Sequence, residues 1–375
     1  MRDIILFLSV FFLALLLIED YQARRDRKRL EHVVYVNGIR GKSTVTRLID
    51  AGLRTGGYRV FCKTTGTEPM TIGIDNVQRP LTRRGRANIK EQLKILHWAA
   101  RDGAQILVIE CMAVDPALQK ISQERMVRSD IGVITNIRLD HTAEMGETLE
   151  EICDALSGTI PEAGILFTAD AGFYRRLEQN GAQKACRTIL AEPDDTLPTD
   201  EFPENLAVAL AVCTYLGVPR ETALKGMASY QPDPYALGRY ILPGGGLFVN
   251  ALSANDPQST VMICRRISQR EGAGRRLILL VNNRRDRGYR TEHMLMVARC
   301  LEPSEIWLLG ASQNAVKHAL HKALPETPVQ TFSDAEALPL ETCGNGDMIL
   351  AAGNIAQDGK KLMARVREEG TLYVP

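Results

Sequence analysis

A glycine-rich segment near the start of the chain has the composition of a phosphate-binding loop. Gly38-Ile-Arg-Gly-Lys-Ser-Thr44 follows the strand-like run VVYVN and precedes a helical pattern that continues to about Thr55. A loop in that position directs its backbone N–H groups and the helix N-terminus at an anion. We therefore predict nucleotide binding, with Lys42 reaching the β- and γ-phosphates and Ser43 ligating Mg²⁺.

Polar residues that follow two further strand-like runs are expected at the same edge of a sheet. Glu110 ends ILVIE, and Asn136 and His141 follow IGVIT. Because the carboxyl ends of parallel strands line the ligand crevice of an open α/β sheet, a carboxylate there suits Mg²⁺. His141 alone is typical of a surface loop, but Asp140 beside it and Glu110 one strand away favour a second metal site.

An arginine-rich turn in the second half of the chain is another candidate for phosphate chemistry. The string RDRGYR, which begins at Arg285, follows the strand-like run LILLV. A solvated basic loop is one interpretation. The other is that Arg285 is brought across a domain cleft to a transferring phosphate, whose charge it stabilises.

An alternation of elements must position these segments. From His32 onward, apolar strand-like runs alternate with helical patterns, which predicts parallel sheets with helices on both faces. Pro232 and Gly238 indicate a linker between two such sets. We predict an α/β protein with a P-loop central domain over 32–236 and a smaller, Rossmann-like C-terminal domain over 237–375.

The composition excludes several classes of protein. The 375 residues are 45% hydrophobic and 24% charged, which excludes a largely disordered chain, a collagen and a polytopic membrane protein. A net charge of +1 argues against binding nucleic acid through a broad basic surface. The 8 cysteines are scattered without a CxxC pair, as in a reduced cytosolic protein.

The N-terminus differs from this soluble pattern. Residues 4–18 are one apolar run, IILFLSVFFLALLLI, and a basic cluster follows at 24–29. As a helix the run spans about 22 Å of a hydrocarbon core of about 30 Å. We predict a single membrane anchor over 1–31 at the cytoplasmic membrane, with the body in the cytoplasm and the cluster near acidic lipid headgroups. A peripheral hairpin and a cleaved signal are the alternatives.

A series of short strings, in this order and spacing, resembles the Mur ligase superfamily. The match is closest to its capsule branch, the ATP-dependent ligases of poly-γ-glutamate synthesis. KTTGT and ECMAV indicate that branch, and the short distance from the apolar run to the phosphate loop leaves no room for a UDP-binding domain. The strings are VNGIRGKSTVTRLI, KTTGTEP, IECMAV, GVITNIRLDH, FPENLAVALAV, KGM, ALSANDP, NRRDRGYR and AAGNI.

The resemblance implies a reaction and a set of partners. ATP activates a carboxylate to an acyl phosphate, an amine attacks it, and phosphate leaves as the amide forms. The substrates would be glutamate and a growing poly-γ-glutamate chain, and the cofactors ATP and Mg²⁺. Small membrane subunits would be partners, and a homo-oligomer is compatible with the resemblance.

The resemblance also implies a role for each motif residue. The catalytic residues would be Lys42, Arg285 and His141. The ATP contacts would be Gly38, Gly41, Lys42, Ser43, Thr44, Asn136, Asn205 and Arg285, with Asn205 near the adenine. The Mg²⁺ ligands would be Ser43 and Glu110 for one ion and His141 for a second. Ser157-Gly158-Thr159 stand where many relatives carry a carbamylated lysine that bridges metals.

Basic residues flank a segment over 66–88 that is rich in Gly, Pro, Thr and Arg and reads as a long loop. They would form a basic lip suited to a polyanionic glutamate chain. A solvated loop is the alternative interpretation. The candidate substrate residues are Lys63, Thr64, Thr65, Arg83, Arg84 and Arg86.

Two other functions also fit the sequence. One is another two-domain Mur-type ligase, similar to folylpolyglutamate synthetase, that acts on a small soluble acceptor. The other is a membrane-anchored P-loop ATPase that assists assembly or export without forming a bond.

Overall fold

The computed structural model describes residues 2–66, 68–83, 85–194, 201–233, 235–254, 256–271, 274–283 and 290–373. The chain forms two compact units, Met1–Asp233 and Pro234–Pro375. Two predicted site residues, Arg84 and Arg285, lie outside the described residues.

The first unit contains an eight-stranded sheet. Its strands are β1 (His32–Asn37), β2 (Val60–Thr64), β3 (Met70–Ile72), β4 (Gln78–Pro80), β5 (Ile106–Glu110), β6 (Ile131–Ile134), β7 (Ile165–Thr168) and β8 (Arg187–Leu190). Its α-helices are α1 (Arg2–Arg27), α2 (Lys42–Thr55), α3 (Glu91–Arg101), α4 (Pro116–Ile121), α5 (Thr142–Met145), α6 (Leu149–Leu156), α7 (Tyr174–Ala182), α8 (Pro203–Tyr215) and α9 (Arg220–Ala228). The strand order is β4-β3-β2-β5-β1-β6-β7-β8. Strand β3 is antiparallel to both β2 and β4, and the other neighbouring pairs are parallel.

The second unit contains a seven-stranded sheet. Its strands are β9 (Gly238–Ile241), β10 (Leu247–Asn250), β11 (Arg276–Asn283), β12 (Glu305–Gly310), β13 (Val329–Thr331), β14 (Asp347–Gly353) and β15 (Thr371–Leu372). Its α-helices are α10 (Pro257–Arg270), α11 (Arg290–Leu301), α12 (Gln313–Ala323) and α13 (Asp358–Glu369). The order is β13-β12-β11-β14-β10-β9-β15, with β9 antiparallel to both of its neighbours.

These two parallel-rich sheets confirm the predicted α/β class. One local prediction is wrong, because the segment 66–88 is not entirely loop. It contains β3 and β4, which extend the sheet beyond β2 as an antiparallel hairpin. Their sequences, MTI and QRP, are too short for strand periodicity to be recognised, and the turn between them places Asn76 at φ +60.

The apolar run of the central strand β1 is continuous because both faces of the strand are covered. Val34 and Val36 pack in the cluster that includes residues of α2 and α8, whereas Val33 and Tyr35 pack in the cluster that includes residues of α3. Successive side chains of a strand point to opposite faces, so a strand covered on both faces is apolar at every position. The phosphate loop therefore follows a strand that is buried from Val33 to Asn37.

Helix α1 has two different parts. The segment Asp3–Arg27 is long and apolar enough to cross a membrane, with a mean hydropathy of 2.3 over its most apolar window and none of that window buried. The last turns instead pack against the body, where Ala23, and Leu30 just after the helix, are buried in the same cluster as residues of α3. The apolar run is thus the outer part of a single helix whose inner end belongs to the first unit.

Asp50, on α2, is a buried acid inside the same unit. Both of its carboxylate oxygens accept hydrogen bonds from Arg54 Nε, at 2.9 and 3.0 Å. Burial nevertheless raises the pKa of Asp50 to about 6, against the opposing charges of Arg54 and Arg47. The folded protein therefore binds a proton here more tightly than the unfolded chain, where the pKa is about 3.9.

We expect Asp50→Asn to change how stability depends on pH. A raised folded-state pKa contributes stability that is fully present below the unfolded pKa and is lost as pH rises through about 6. Between about pH 7.5 and about pH 5, the wild type should gain about 1 kcal/mol relative to Asp50→Asn. Urea denaturation of both proteins at the two pH values measures this, and a parallel pH dependence would contradict it. Asp154→Asn, at an exposed ion pair with Arg176, is the control.

Candidate active site

The phosphate loop joins β1 to α2 and requires glycine at two positions. Gly38 has φ +126 and Gly41 has φ +78, a region that favours glycine. A Cβ on Gly38 would lie 2.1 Å from Thr135 Oγ1, and a Cβ on Gly41 would lie 2.5 Å from Asn205 Oδ1. A side chain that directly follows β6 and one on α8 are thus packed against the loop, and only glycine fits beside them.

Lys42 begins α2 and folds back over the loop. Its Nζ donates hydrogen bonds to the carbonyl oxygens of Gly38 at 2.7 Å and Ile39 at 3.3 Å. Burial lowers the pKa of the ammonium, and the nearby charge of Glu110 opposes that shift. The ammonium therefore lies within the loop, where a bound phosphate would meet it.

Ser43 and Glu110 meet at the carboxyl edge of the sheet, the edge where β1, β2 and β5 end. The Ser43 hydroxyl donates to Glu110 Oε2 at 2.8 Å, and the Thr65 backbone N–H donates to the same oxygen at 2.7 Å. Glu110 as a whole is only 2% exposed. The backbone of Glu110 is fixed as well, because Gln92 Nε2 donates a hydrogen bond to its carbonyl oxygen.

This pair fits a nucleotide-bound magnesium ion. The hydroxyl and the carboxylate are hard oxygen donors within 2.8 Å of each other, which is the kind of ligand Mg²⁺ prefers. Among the described residues, no group of three or more His, Cys, Asp or Glu side chains is placed to hold a metal. Mg²⁺ in proteins usually completes its coordination with phosphate oxygens and water.

Asn136 and His141 follow β6 and lie beside the loop in different ways. The Asn136 amide accepts from the Arg40 N–H and donates to the Arg40 carbonyl, both at 3.0 Å. Asn136 thus holds the loop backbone, and its direct contact with a nucleotide stays a prediction. Asp140, which directly precedes His141, accepts a hydrogen bond from Arg40 Nη2 at 2.6 Å.

His141 has a left-handed backbone, φ +53, and its Nε2 lies 3.7 Å from Asp140 Oδ2. Burial lowers the pKa of the imidazole, although the Asp140 charge opposes the shift. The neutral imidazole that results is the form that binds metals. Ser157–Thr159, the segment in which the resemblance led us to look for a bridging lysine, form a 3₁₀ turn. The role of His141 in a second metal site stays a prediction.

Two predicted ATP contacts lie at helix starts beside the loop. Thr44 is in the first turn of α2, and Asn205 is in the first turn of α8, with its buried side chain against Gly41. A nucleotide in the loop would therefore lie close to Asn205, and the proposed adenine contact remains untested.

Lys63 is not part of an exposed basic lip, contrary to the sequence-based expectation. Its side chain is 0% exposed, and Nζ lies 2.9 Å from Glu91 Oε1. Arg83 Nε donates to the other oxygen of Glu91 at 2.7 Å. Burial would raise the pKa of Glu91, but the Arg83 hydrogen bond and the Lys63 charge together lower it. Both cations therefore share one carboxylate as their ion-pair partner.

The other substrate candidates in this region lie in different environments. Thr64 is buried, and its Oγ1 has no hydrogen-bond partner among the described residues. Thr65 is half-buried and contacts Glu110 through its backbone. Arg86 is exposed. Thr64 stands between Lys63 and Thr65, whose backbone N–H contacts Glu110. A ligand could supply a hydrogen-bond partner for the Thr64 hydroxyl.

Sequence reasoning missed Glu91 and Gln92, which organise this side of the site. They begin α3, far along the chain from Lys63 and Glu110, and only the packing of α3 against β2 and β5 brings them together. An acidic residue in the first turn of a helix is too common for helix polarity alone to single it out.

The comparisons with known proteins first define a class. The Mur ligase middle domain model matches residues 36–194, which include the phosphate loop, Glu110 and His141. The bifunctional folylpolyglutamate synthase/dihydrofolate synthase of Yersinia pestis, complexed with AMPPNP and Mn ion, has a similar fold, with a TM-score of 0.68 and 16% identity over 92% of this chain and 93% of that chain. The folylpolyglutamate synthase of Thermotoga maritima has a TM-score of 0.62 and 15% identity over 96% of each chain. The fold is therefore that of the Mur ligases, which are ATP-dependent amide ligases.

The family within this class follows from closer relatives. Residues 243–369 match the poly-gamma-glutamate synthase CapB C-terminal domain. The chain is 34% identical to PGA synthase CapB of Bacillus subtilis (strain 168) over 94% of its length and 95% of that protein. It is also 34% identical to capsule biosynthesis protein CapB of Bacillus anthracis, over 84% of this chain and 71% of that one. The protein belongs to the CapB family of poly-γ-glutamate synthases.

Proposed function

We propose that this protein is an ATP- and Mg²⁺-dependent ligase that forms γ-glutamyl amide bonds during poly-γ-glutamate synthesis. One observation carries the proposal. This chain is similar to a PGA synthase over 94% of its own length, and it has Lys42 in a phosphate loop with the Ser43–Glu110 pair beside that loop. These groups are what a phosphoryl transfer from ATP to a carboxylate requires.

The chemistry has two steps. A glutamate γ-carboxylate oxygen attacks the γ-phosphorus of ATP, ADP leaves, and an acyl phosphate forms. The amine of the second glutamate unit then attacks the acyl carbon, loses a proton, and displaces inorganic phosphate as the amide forms. An anion that attacks an anion is opposed by charge repulsion, so the chain must supply positive charge at the transferring group.

Residues of this chain supply that charge and hold its geometry. Lys42 directs its ammonium into the loop, and Arg285 would add a second cation to the γ-phosphate. Ser43 and Glu110 would hold Mg²⁺, which when bound neutralises phosphate charge and orients the leaving group. A solved ligase of similar fold with Mn, AMPPNP and L-glutamate bound, 17% identical, supports a nucleotide, a divalent ion and glutamate as the ligands of this fold.

The acceptor side of the site is assigned to the end of β2. Thr64 and Thr65 lie between the buried Lys63–Glu91 pair and the Glu110 carboxylate. In this proposal they contact the acceptor, and exposed Arg86 attracts the anionic chain. Lys63 and Arg83 act indirectly, since both are held in ion pairs with Glu91.

We assign the location from helix α1. Its apolar, exposed run supports a single anchor in the cytoplasmic membrane, with the basic cluster and the catalytic unit on the cytoplasmic side. Small membrane subunits of the synthase would then meet this protein at the membrane. Self-association of the ligase is a further part of this proposal.

A second candidate is a ligase that acts on a small soluble acceptor. The similarity in fold to folylpolyglutamate synthases favours it. It predicts full activity on a soluble acceptor without polymer formation.

The deciding experiment measures glutamate-dependent phosphate release by membranes that contain the full chain, with γ-linked polymer assayed in parallel. Polymer and phosphate should appear together, and both should be lost in Lys42→Ala. Phosphate release that is lost in the variant but indifferent to glutamate would instead indicate an ATPase. Release that depends on a small acceptor, with no polymer, would indicate the second candidate.

A further inference from the structure

Helices α1 and α3 lie side by side and run in the same direction. Glu19 pairs with Lys90 at 2.9 Å. About two helical turns further along both helices, Asp26 pairs with His97 at 2.8 Å. The two contacts are separated by the same number of residues in each helix. Two helices can repeat a contact in that way only when they are parallel.

Helix α3 has a known direction relative to the sheet. At its start, Glu91 pairs with Lys63 near the end of β2, and Gln92 bonds the carbonyl of Glu110 at the end of β5. The start of α3 therefore lies at the carboxyl edge, beside Ser43 and Glu110. Because α1 is parallel to α3, its N-terminal, apolar half projects from the body on the side of that edge.

The other end of α1 lies at the opposite edge of the sheet. Arg27 Nη2 donates to Asp130 at 2.7 Å, immediately before β6 begins. The Glu31 N–H donates to the Gln105 carbonyl at 2.8 Å, immediately before β5 begins. The direction of α1 is thus set independently at both of its ends.

The joint between the apolar run and the body contains no linker. Asp20 pairs with Arg128 at 2.5 Å on one side of α1, while Glu19 pairs with Lys90 on the other. These pairs lie immediately after Ile18, the last apolar residue of the run. They also neutralise the two acids that would otherwise face anionic lipid headgroups.

We propose that α1 holds the carboxyl edge of the sheet, with the phosphate loop and Thr64–Thr65, toward the lipid surface. The partner of this face is the headgroup layer of the membrane in which the apolar run is inserted. Arg86, which is exposed shortly before the start of α3, complements acidic headgroups. Amide bonds would then form on the membrane-facing side of the unit. This inference depends on the membrane anchoring in the proposed function.

The two ends of α3 provide a direct test. In a Cys300→Ser background, which removes the exposed native thiol, Ala87→Cys and Arg101→Cys place one fluorophore before and one at the end of α3. The full chain is reconstituted into vesicles of phosphatidylcholine and phosphatidylglycerol that carry a nitroxide on part of the headgroups. The two positions are about 20 Å apart along the helix axis, so we expect at least about twofold more quenching at position 87.

Two insertions after Ile18 form a matched pair. Seven alanines extend the helix by about 10 Å with nearly the same rotation, so quenching should fall at both positions while the preference for position 87 remains. A Gly-Ser insertion of equal length should abolish the preference, because it frees the orientation of the body.

Two results of the quenching experiment would contradict the proposal. Equal or greater quenching at position 101 in vesicle-bound wild-type protein would overturn the orientation and leave the ligase function standing. Failure of the full chain to associate with vesicles would overturn the anchoring and the inference with it, whereas the polymer assay tests the chemistry separately.

Discussion

Lys42→Ala will lower kcat for glutamate-dependent phosphate release by about 10²–10³-fold, and γ-linked polymer will fall with it. The reason is the position of the ammonium. It is held within the loop by the carbonyls of Gly38 and Ile39, so it would meet the transferring phosphate without reorganisation. Alanine favours helix, and α2 should therefore still begin at this position.

The control for this prediction is Lys225→Ala, which removes an exposed lysine from α9 of the same unit. Phosphate release and polymer are measured for both variants in membranes, with equal protein confirmed by immunoblot. A Lys42→Ala enzyme that keeps most of the wild-type rate would contradict the assignment of this loop to the γ-phosphate. Loss in both variants would indicate a defect in folding instead.

Glu110→Gln will weaken the dependence of the reaction on Mg²⁺ by about 10–100-fold in half-saturating concentration. The amide keeps the size of the carboxylate and can still accept the Thr65 N–H and the Ser43 hydroxyl. It lacks the negative charge that makes the oxygen a strong ligand for a hard cation. Titration of phosphate release with Mg²⁺ at saturating ATP measures the shift.

Glu150→Gln, at an exposed position on α6, is the matched control and should leave the titration unchanged. Thermal unfolding without nucleotide should be similar in the wild type and both variants, because the Glu110 carboxylate has no ion-pair partner among the described residues. An unchanged half-saturating Mg²⁺ concentration in Glu110→Gln would remove Glu110 from the proposed metal site.

The phosphate loop and Glu110 could be predicted from sequence because their signals are local. A strand, a glycine-rich turn and a helix start are contiguous in the chain, and a carboxylate at the end of an apolar run must lie at the edge of the sheet. The structure brings Ser43 and Glu110 to 2.8 Å, as this reasoning expects. The α/β class also followed from local periodicity.

The environment of the basic residues could not be predicted in this way. Lys63 and Arg83 appeared as an exposed lip because charge alone carries no information about burial. The start of α3 brings Glu91 against both, and the partner is distant in sequence. The short strands β3 and β4 were likewise missed, because three residues give no reliable period.

The sequence by itself determined the family, the two sheets, the phosphate loop and the apolar N-terminal run. Each of these depends on contiguous residues, whose types and spacing are physical constraints in their own right. Only the tertiary structure decided that Lys63 is buried, that Asn136 holds the loop, and that α1 runs parallel to α3. Such features depend on contacts between distant segments, whose geometry is set by how the helices pack on the sheet and not by any local pattern.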